Sequence, residues 1–347
     1  MPVCLETNTQ NHDLGLGATG LRRKSNGYHG LSGPCVNIGL INNMPDAALE
    51  ATERQFVTLL DSASDGVLVR LSFYALPDVP RNDWGRHWVK RFYFGLENLW
   101  TSEVDGLIVT GREPRTPNLK DEPYWNSLTQ VLEWADDNTH STVWSCLAAH
   151  AALLHMDGIA RRKSEQKRCG IFDCVRLSDH PLLAGLSSRF QVPHSRWNDI
   201  PEDDLAAAGY SVLSRVQGAG ADTIIKHNNS LFVFFQGHPE YESDTLLYEY
   251  RRDVKRYLTG ETNTYPTMPH SYFDRDTQET LAALQEKATR GRRENCLPDL
   301  AAALEGKTMP RPWSSTAARL YGNWLRYITA QREAHQSPTR VTTNAHR

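Results

Sequence analysis

The sequence predicts an α/β fold, a mainly parallel sheet flanked by helices on both faces. Two observations predict it. Through the first half, short apolar runs alternate with stretches of helical periodicity, the pattern of strands joined by crossover helices. The runs are nearly continuous in apolar residues, as befits strands covered on both sides. In the second half the pattern gives way to strands joined by tight turns, which adds a hairpin region to the parallel core.

The elements follow in order. Val36 to Ile41 reads as a buried strand. Pro45 to Leu60 follows as a helix, with Leu49, Thr52, Phe56 and Leu59 near one face. Val67 to Tyr74 is a second strand, and Leu107, Ile108 and Val109 form a third that ends at Thr110-Gly111. Tyr124 to Asp136 is amphipathic and helical. Ser141 to Ser145 is another strand, leading into a helix from Ala148 to Met156 that stops at Gly158. Gly170 to Leu177 and Tyr210 to Val216 read as strands. Thr223 to Lys226 and Leu231 to Phe235 flank His227-Asn228-Asn229-Ser230, a strong turn signal. A long helix runs from about Ser243 to Leu258, residues 275–310 form a polar helical stretch expected to be a peripheral insertion, and Trp313 to Gln331 is a closing helix.

The domain organisation expected is a flexible N-terminal arm over residues 1–32, a single α/β domain over 33–335, and a flexible tail over 336–347, the two ends being poor in large apolar groups. A chain of 347 residues has ample length to bury a core. Apolar residues make up 39% and no run is long enough to cross a bilayer. Met1 to Gly20 lacks the basic start and apolar stretch of a secretion signal, so the expected location is the cytoplasm, with no membrane partner. The net charge is −3 with both signs dispersed, which argues against a nucleic-acid partner. Six cysteines, at 4, 35, 146, 169, 174 and 296, form no C-x-x-C pair and do not resemble a metal site; in a reducing compartment they are expected as thiols.

One of those thiols stands apart. In Ser141-Thr-Val-Trp-Ser-Cys146-Leu-Ala-Ala-His150 a strand runs directly into a small-residue helix, and the cysteine occupies the junction. In a doubly wound sheet, ligands bind beyond the carboxyl ends of the strands. A sulfur there faces the positive end of a helix, the setting of nucleophilic cysteines. The Leu147 N–H would point at an oxygen on the attacked carbon. A buried packing cysteine is the other reading of such a residue.

A second segment, Phe234-Phe-Gln-Gly-His238-Pro-Glu240-Tyr241, lies where another strand meets a turn. A general base needs its ring at such an edge and a carboxylate to fix its tautomer. His238 and Glu240 are two apart, so in extended chain they point the same way, and Pro239 stiffens the link. His150, one helical turn past Cys146, lies on the nucleophile's side, where a packed core histidine is the ordinary reading.

Together these segments resemble the homoserine O-acyltransferase family of methionine biosynthesis, which includes succinyl- and acetyl-transferring members. The resemblance runs from about Val36 to Gln331. It is carried by Asn43-Met-Pro45, Thr52-Glu-Arg-Gln-Phe56, Asp105-Gly-Leu-Ile-Val-Thr-Gly111, Tyr124-Trp125, Pro193-His-Ser-Arg196, Gly237-His-Pro-Glu-Tyr241 and Asn323-Trp324-Leu325 in that order. It implies a class I glutamine-amidotransferase-like (flavodoxin-like) fold, a homodimer, and acyl-CoA and a small hydroxy amino acid as substrates, with no cofactor and no metal.

Carried over by position, the resemblance makes Cys146 the acyl-thioester nucleophile, His238 the base and Glu240 the orienting acid. It makes Lys167, Ser195 and Arg252 substrate contacts, with Arg252 suited to a carboxylate fork. The sequence departs from the family at Asp46 and Ala47, where paired lysines are usual, and at Leu147 and His150, where Trp and Gln are usual. Arg115 takes the position associated with acyl-donor specificity, where a guanidinium would favour succinyl-CoA slightly over acetyl-CoA. The implied activity is acyl-CoA:L-homoserine O-acyl transfer by a ping-pong route. Serine or another hydroxy amino acid as acceptor, and a glutamine-amidotransferase-like hydrolase, are the alternatives.

Overall fold

The computed structural model describes residues 3–6, 33–291 and 296–336. Its centre is a ten-stranded sheet in the order β1-β3-β2-β4-β5-β10-β9-β8-β6-β7. In chain order the strands are β1 (Val3–Glu6), β2 (Cys35–Ile41), β3 (Leu68–Tyr74), β4 (Gly106–Thr110), β5 (Ser141–Ser145), β6 (Arg162–Arg176), β7 (Arg189–Asp199), β8 (Ser211–Val216), β9 (Gly220–His227) and β10 (Leu231–Phe235). The helices are α1 (Leu49–Ala63), α2 (Asp83–Phe92), α3 (Leu96–Leu99), α4 (Trp125–Asn138), α5 (Leu147–Asp157), α6 (Glu202–Ala207), α7 (Thr245–Leu258), α8 (Arg275–Thr289), α9 (Cys296–Leu304) and α10 (Ser314–Gln336).

The run β3-β2-β4-β5-β10 is parallel throughout. Counted along the chain within this run, the order is second, first, third, fourth, fifth, which is the flavodoxin-like order. The expected α/β class with a mainly parallel core and an added hairpin region is therefore the architecture observed. β9, β8, β6 and β7 extend the sheet antiparallel, beginning with the β9–β10 hairpin whose turn is closed by Asn228 N–H donating to Ser230 O at 3.0 Å.

Alternate residues of each central strand feed opposite faces, as the two-residue period requires. Ile108, Val143, Val233 and Phe235 join the layer under α1 and α10, whereas Leu107, Val109, Trp144, Phe232 and Phe234 join the layer under α4 and α5. Side chains buried this completely contribute about 1.5–3 kcal/mol each. The helix α5 carries mostly Ala and Leu because it lies on the sheet with little solvent access, and it stops at Gly158, whose left-handed φ of +69° caps the last carbonyls.

The structure corrects two expectations and extends a third. Val3–Glu6 does not belong to an arm: it adds a parallel edge strand to β3, with Val3 and Leu5 turned into the core. The rest of the expected arm, 7–32, and the expected tail beyond Gln336 lie outside the described residues. The helix expected from Pro45 begins later, after a 3₁₀ turn at Asp46–Ala48. The stretch expected as peripheral folds into α8 and α9, and Leu281, Leu284, Leu300 and Leu304 join the larger core, so its apolar stripe is anchored although its outer face is polar.

Candidate functional site

The strand register brings the two predicted segments together. In the parallel β5–β10 pair, Ser145 stands opposite Phe235. Cys146 follows the first strand immediately and His238 follows the second three residues on. The Cys146 N–H donates to Phe235 O at 2.7 Å, which pins the junction to β10. Cys146 adopts φ +51° and ψ −111°, a conformation that L-residues avoid at a cost of about 1–3 kcal/mol. The strain arises where a strand must turn at once into a helix, and it leaves the sulfur at the mouth of the sheet, half-buried.

His238 is buried beside it. Its Nδ1 lies 2.9 Å from Glu240 Oε1, and its ring interacts electrostatically with Cys146. With Nδ1 engaged by the carboxylate, Nε2 is the nitrogen left for the sulfur. Ser145 Oγ donates to the same Glu240 oxygen at 3.2 Å, and Tyr241 stacks on the imidazole with ring centroids 4.2 Å apart. His238 N–H donates to Pro193 O at 2.8 Å, so β7 sets the height of the turn. Burial pulls the His238 pKa down, but the negative charges of Cys146 and Glu240 and the Glu240 hydrogen bond outweigh it and hold the pKa well above its ordinary value.

The third wall is the end of β4. Gly111 lies so close to the start of α5 that a Cβ there would stand 2.6 Å from Leu147 N and 2.8 Å from Ala148 N. Only glycine permits this approach. It sets a backbone turn beside the first N–H groups of α5, which have no partner within their own helix and are free to bind an oxyanion.

Lys167, Ser195 and Arg252 gather on the far side of Tyr241, around a residue that sequence reasoning did not single out. Glu249 accepts hydrogen bonds from Tyr241 Oη at 2.7 Å and from Ser195 Oγ, and its carboxylate lies 3.6 Å from Lys167 Nζ. Lys167 Nζ also pairs with Asp253 at 2.9 Å, and Arg252 pairs with the other oxygen of Asp253 at 2.8 Å. Burial alone would push the Glu249 pKa up; Lys167, Ser195 and Tyr241 reverse that and hold it below the usual carboxylate range. Lys167 and Ser195 thus position an ionised Glu249, while the half-exposed Arg252 keeps guanidinium surface open. Glu249 sits three residues before Arg252 on α7, on the same helical face, and that spacing is the signal that could have found it.

Arg115 is exposed and its guanidinium forms no ion pair among the described residues; its backbone N–H donates to Glu122. Glu113 pairs instead with Arg256, and Asp121 accepts from Asn118. His150 is fully buried, with Nδ1 unpartnered and its pKa lowered to about 3, first by burial and then by Arg196 and Arg161.

Cys174, His194 and Asp222 bring a thiol, an imidazole and a carboxylate together, all buried and with their ligand atoms within 4.8 Å of one another. Asp222 already accepts from Ser214 Oγ at 2.9 Å and Thr223 Oγ1 at 3.0 Å, and burial drives the Cys174 thiol pKa upward. The group therefore works as a polar brace linking β6, β7 and β9 under the His238 turn.

A sequence profile described as "HTS: Homoserine O-succinyltransferase" matches residues 32–335. A homoserine O-succinyltransferase from Rhodopseudomonas palustris is 46% identical over 290 residues, covering 84% of this chain and 87% of the relative. One from Methylorubrum extorquens is 44% identical over 296 residues, covering 85% and 87%. A solved glutamine amidotransferase from Methylobacillus flagellatus overlays with a TM-score of 0.46 at 13% identity, covering 85% of this chain and 96% of the other.

Proposed function

The chain belongs to the homoserine O-succinyltransferase family and is an O-acyltransferase, and from that premise we propose that it moves a succinyl group from succinyl-CoA through Cys146 to the side-chain hydroxyl of L-homoserine, a step of methionine biosynthesis. The observation that carries the reading is the His238 ring, held by Glu240 on one nitrogen and set beside Cys146 by the β5–β10 pairing, with Tyr241 linking it to the charged cluster of Glu249 and Arg252.

In the first half-reaction the Cys146 thiolate attacks the acyl-CoA carbonyl. The negative oxygen that forms is met by the first N–H groups of α5. The tetrahedral carbon then expels coenzyme A, whose sulfur takes a proton from the His238 imidazolium. One thioester replaces another, so the step is close to thermoneutral. In the second half the neutral His238 accepts the proton of the acceptor hydroxyl as that oxygen attacks the acyl-cysteine. Cys146 leaves as thiolate, next to a His238 that is charged again. An oxygen ester is more stable than a thioester, so this half runs downhill. Glu240 fixes the imidazole in the tautomer that serves both steps.

The acceptor has an ammonium, a carboxylate and a hydroxyl to be held apart. Glu249 offers an ionised carboxylate to the ammonium and Arg252 a fork to the carboxylate, which leaves the hydroxyl end to face His238 across Tyr241. The test is thiol release from succinyl-CoA and acetyl-CoA against a panel of hydroxy amino acids, with the acylated protein followed by intact mass. The expected result is homoserine-dependent release, parallel-line initial-rate patterns and a succinyl adduct that is absent from Cys146→Ala. An active Cys146→Ala enzyme would overturn the reading.

A further inference from the structure

The loop after β4 and the start of β6 place two arginines beside the nucleophile for which the mechanism has no use. Arg112 follows Gly111 directly and shares a small cavity with Asn43, Tyr124, Leu147 and Ala151. Its Nε and one terminal nitrogen are shut off from solvent and have no hydrogen-bond partner among the described residues. Its guanidinium carbon also lies over the face of Tyr124, 6.0 Å from the ring centroid. Arg161 shows the same deficit. One terminal nitrogen donates to Pro117 O at 3.0 Å, and the other is buried and unpartnered. An orphaned buried donor costs about 1–3 kcal/mol, more when it is charged, so two such groups facing the same Glu122 and Tyr124 describe a site suited to an acceptor that comes from outside.

The local charge points the same way. Burial lowers the pKa of both arginines, yet both stay cationic, since guanidinium does not lose its proton in proteins. The carboxylate that faces both is Glu122, and its Oε1 is taken by the N–H groups of Arg115 and Thr116 and by Thr116 Oγ1. Two further cations face Arg112: Arg81, which is neutralised by Asp46 at 3.1 Å, and Arg115, which adds to the positive charge. Glu122 Oε2 is itself buried and makes no hydrogen bond to either guanidinium among the described residues. One carboxylate facing two guanidinium groups leaves the pocket net positive. Arg161 also feels the charge of Cys146, which places the pocket within electrostatic reach of the sulfur.

We infer that Arg112, with Arg161 behind it, binds the distal carboxylate of a dicarboxylic acyl donor and thereby selects succinyl over acetyl. This rests on the acyl-transfer reading above and assigns its donor. A succinyl group on Cys146 carries its second carboxylate two methylenes beyond the thioester carbon, on the side away from the departing coenzyme A. A carboxylate is favoured there over a phosphate of coenzyme A, because the cavity is lined by Gly111, Leu147 and Ala148 at the start of α5, the side to which the acyl chain on Cys146 extends. Arg115, exposed on the loop after β4, is not the reader of the acyl group.

The experiment compares wild-type protein with Arg112→Gln, Arg112→Lys and Arg161→Gln, measuring the initial rate of protein acylation by succinyl-CoA and by acetyl-CoA through intact mass without any acceptor, and then with homoserine. Thermal melting of each variant reports on folding. The ratio of succinyl to acetyl acylation rates is expected to fall roughly 10- to 100-fold in Arg112→Gln, less in Arg161→Gln, with partial recovery in Arg112→Lys. An equal loss with both donors, or an unchanged ratio, overturns the assignment and leaves acyl transfer standing. A protein that is acylated normally but never passes the group to homoserine sinks the acceptor reading instead, and the donor ratio is still decisive.

Discussion

His238 Nδ1 lies 2.9 Å from Glu240 Oε1, and that oxygen also receives the hydroxyl of Ser145, the residue before the nucleophile candidate. One carboxylate thus ties both halves of the site. Replacing Glu240 by Gln keeps the shape and removes the charge, so kcat for acyl transfer should fall by about 10²- to 10⁴-fold. The homoserine KM should change little, because Glu240 engages His238 and Ser145, whereas Lys167, Ser195 and Tyr241 engage Glu249. The His238 pKa, raised in part by Glu240, should drop, shifting the histidine's titration to lower pH. Steady-state rates across pH test this, and a variant within twofold of wild type would remove Glu240 from the mechanism.

Gly111→Ala tests the backbone wall. The added methyl meets the main-chain nitrogens of Leu147 and Ala148, which cannot rotate away as a side chain could. The start of α5 must shift, and with it the N–H groups that face the oxyanion. A loss of stability of about 1–3 kcal/mol and a drop in kcat of at least roughly 10²-fold are expected. Urea melts together with turnover separate the two effects, and full activity would show that Gly111 has no part in the site.

Much of this was legible in the sequence for a physical reason. Cys146 and His238 sit where apolar runs end, and parallel strands deliver their carboxyl ends to one edge. What was not legible depended on distant partners. The four residues of β1 carry too little pattern to be read as a strand and gain their identity from β3. β7 was missed because Pro193 interrupts it, which a strand at the edge of the sheet tolerates. Glu249 looked like any surface helix glutamate until Ser195, from β7, and Tyr241, from the His238 turn, converged on it. Arg112 and Arg161, one beside each end of the β4–α5 segment, come to face the same Glu122 and Tyr124 only through the fold.

Alkylation should distinguish Cys146 from the other thiols. Cys169, Cys174 and Cys296 are buried, and burial pushes the Cys169 pKa up to about 12. Cys146 is half-buried, at a helix start and against His238. Limiting iodoacetamide at mildly acidic pH is expected to modify Cys146 first, by at least about tenfold in rate, and the modification should vanish on preincubation with succinyl-CoA. Peptide mapping reads the outcome; a uniform pattern over several cysteines would count against a reactive Cys146.

Arg252 and Glu249 should separate in kinetics from Cys146. Arg252→Ala and Glu249→Gln remove opposite charges from the same acceptor, so each should raise the homoserine KM by about 10- to 100-fold while protein acylation by the acyl donor continues. Glu249→Gln should also loosen Lys167, which the carboxylate helps to hold. Intact-mass acylation and homoserine saturation curves are the readouts. If either variant loses acylation itself, the cluster serves the first half-reaction and not the acceptor.

His150 makes stability depend on pH. Its pKa falls from 6.5 in the unfolded chain to about 3 in the folded protein, with burial the main cause. Between those values the unfolded chain binds a proton that the native state refuses, so stability rises with pH in that window and is flat on either side of it. The slope is at most about 1.4 kcal/mol per pH unit. Acidification from pH 6.5 should therefore destabilise the wild type more steeply than His150→Gln, whose side chain has no proton to gain. Carboxylates held low by their partners, Asp199 and Glu249 among them, lose their own contribution at lower pH in both proteins, so the difference between the two curves isolates the histidine. Urea unfolding at pH 7.5, 6 and 5 measures it. Parallel curves would mean that His150 takes up its proton in the native state, and that the turn after Cys146 is open to water.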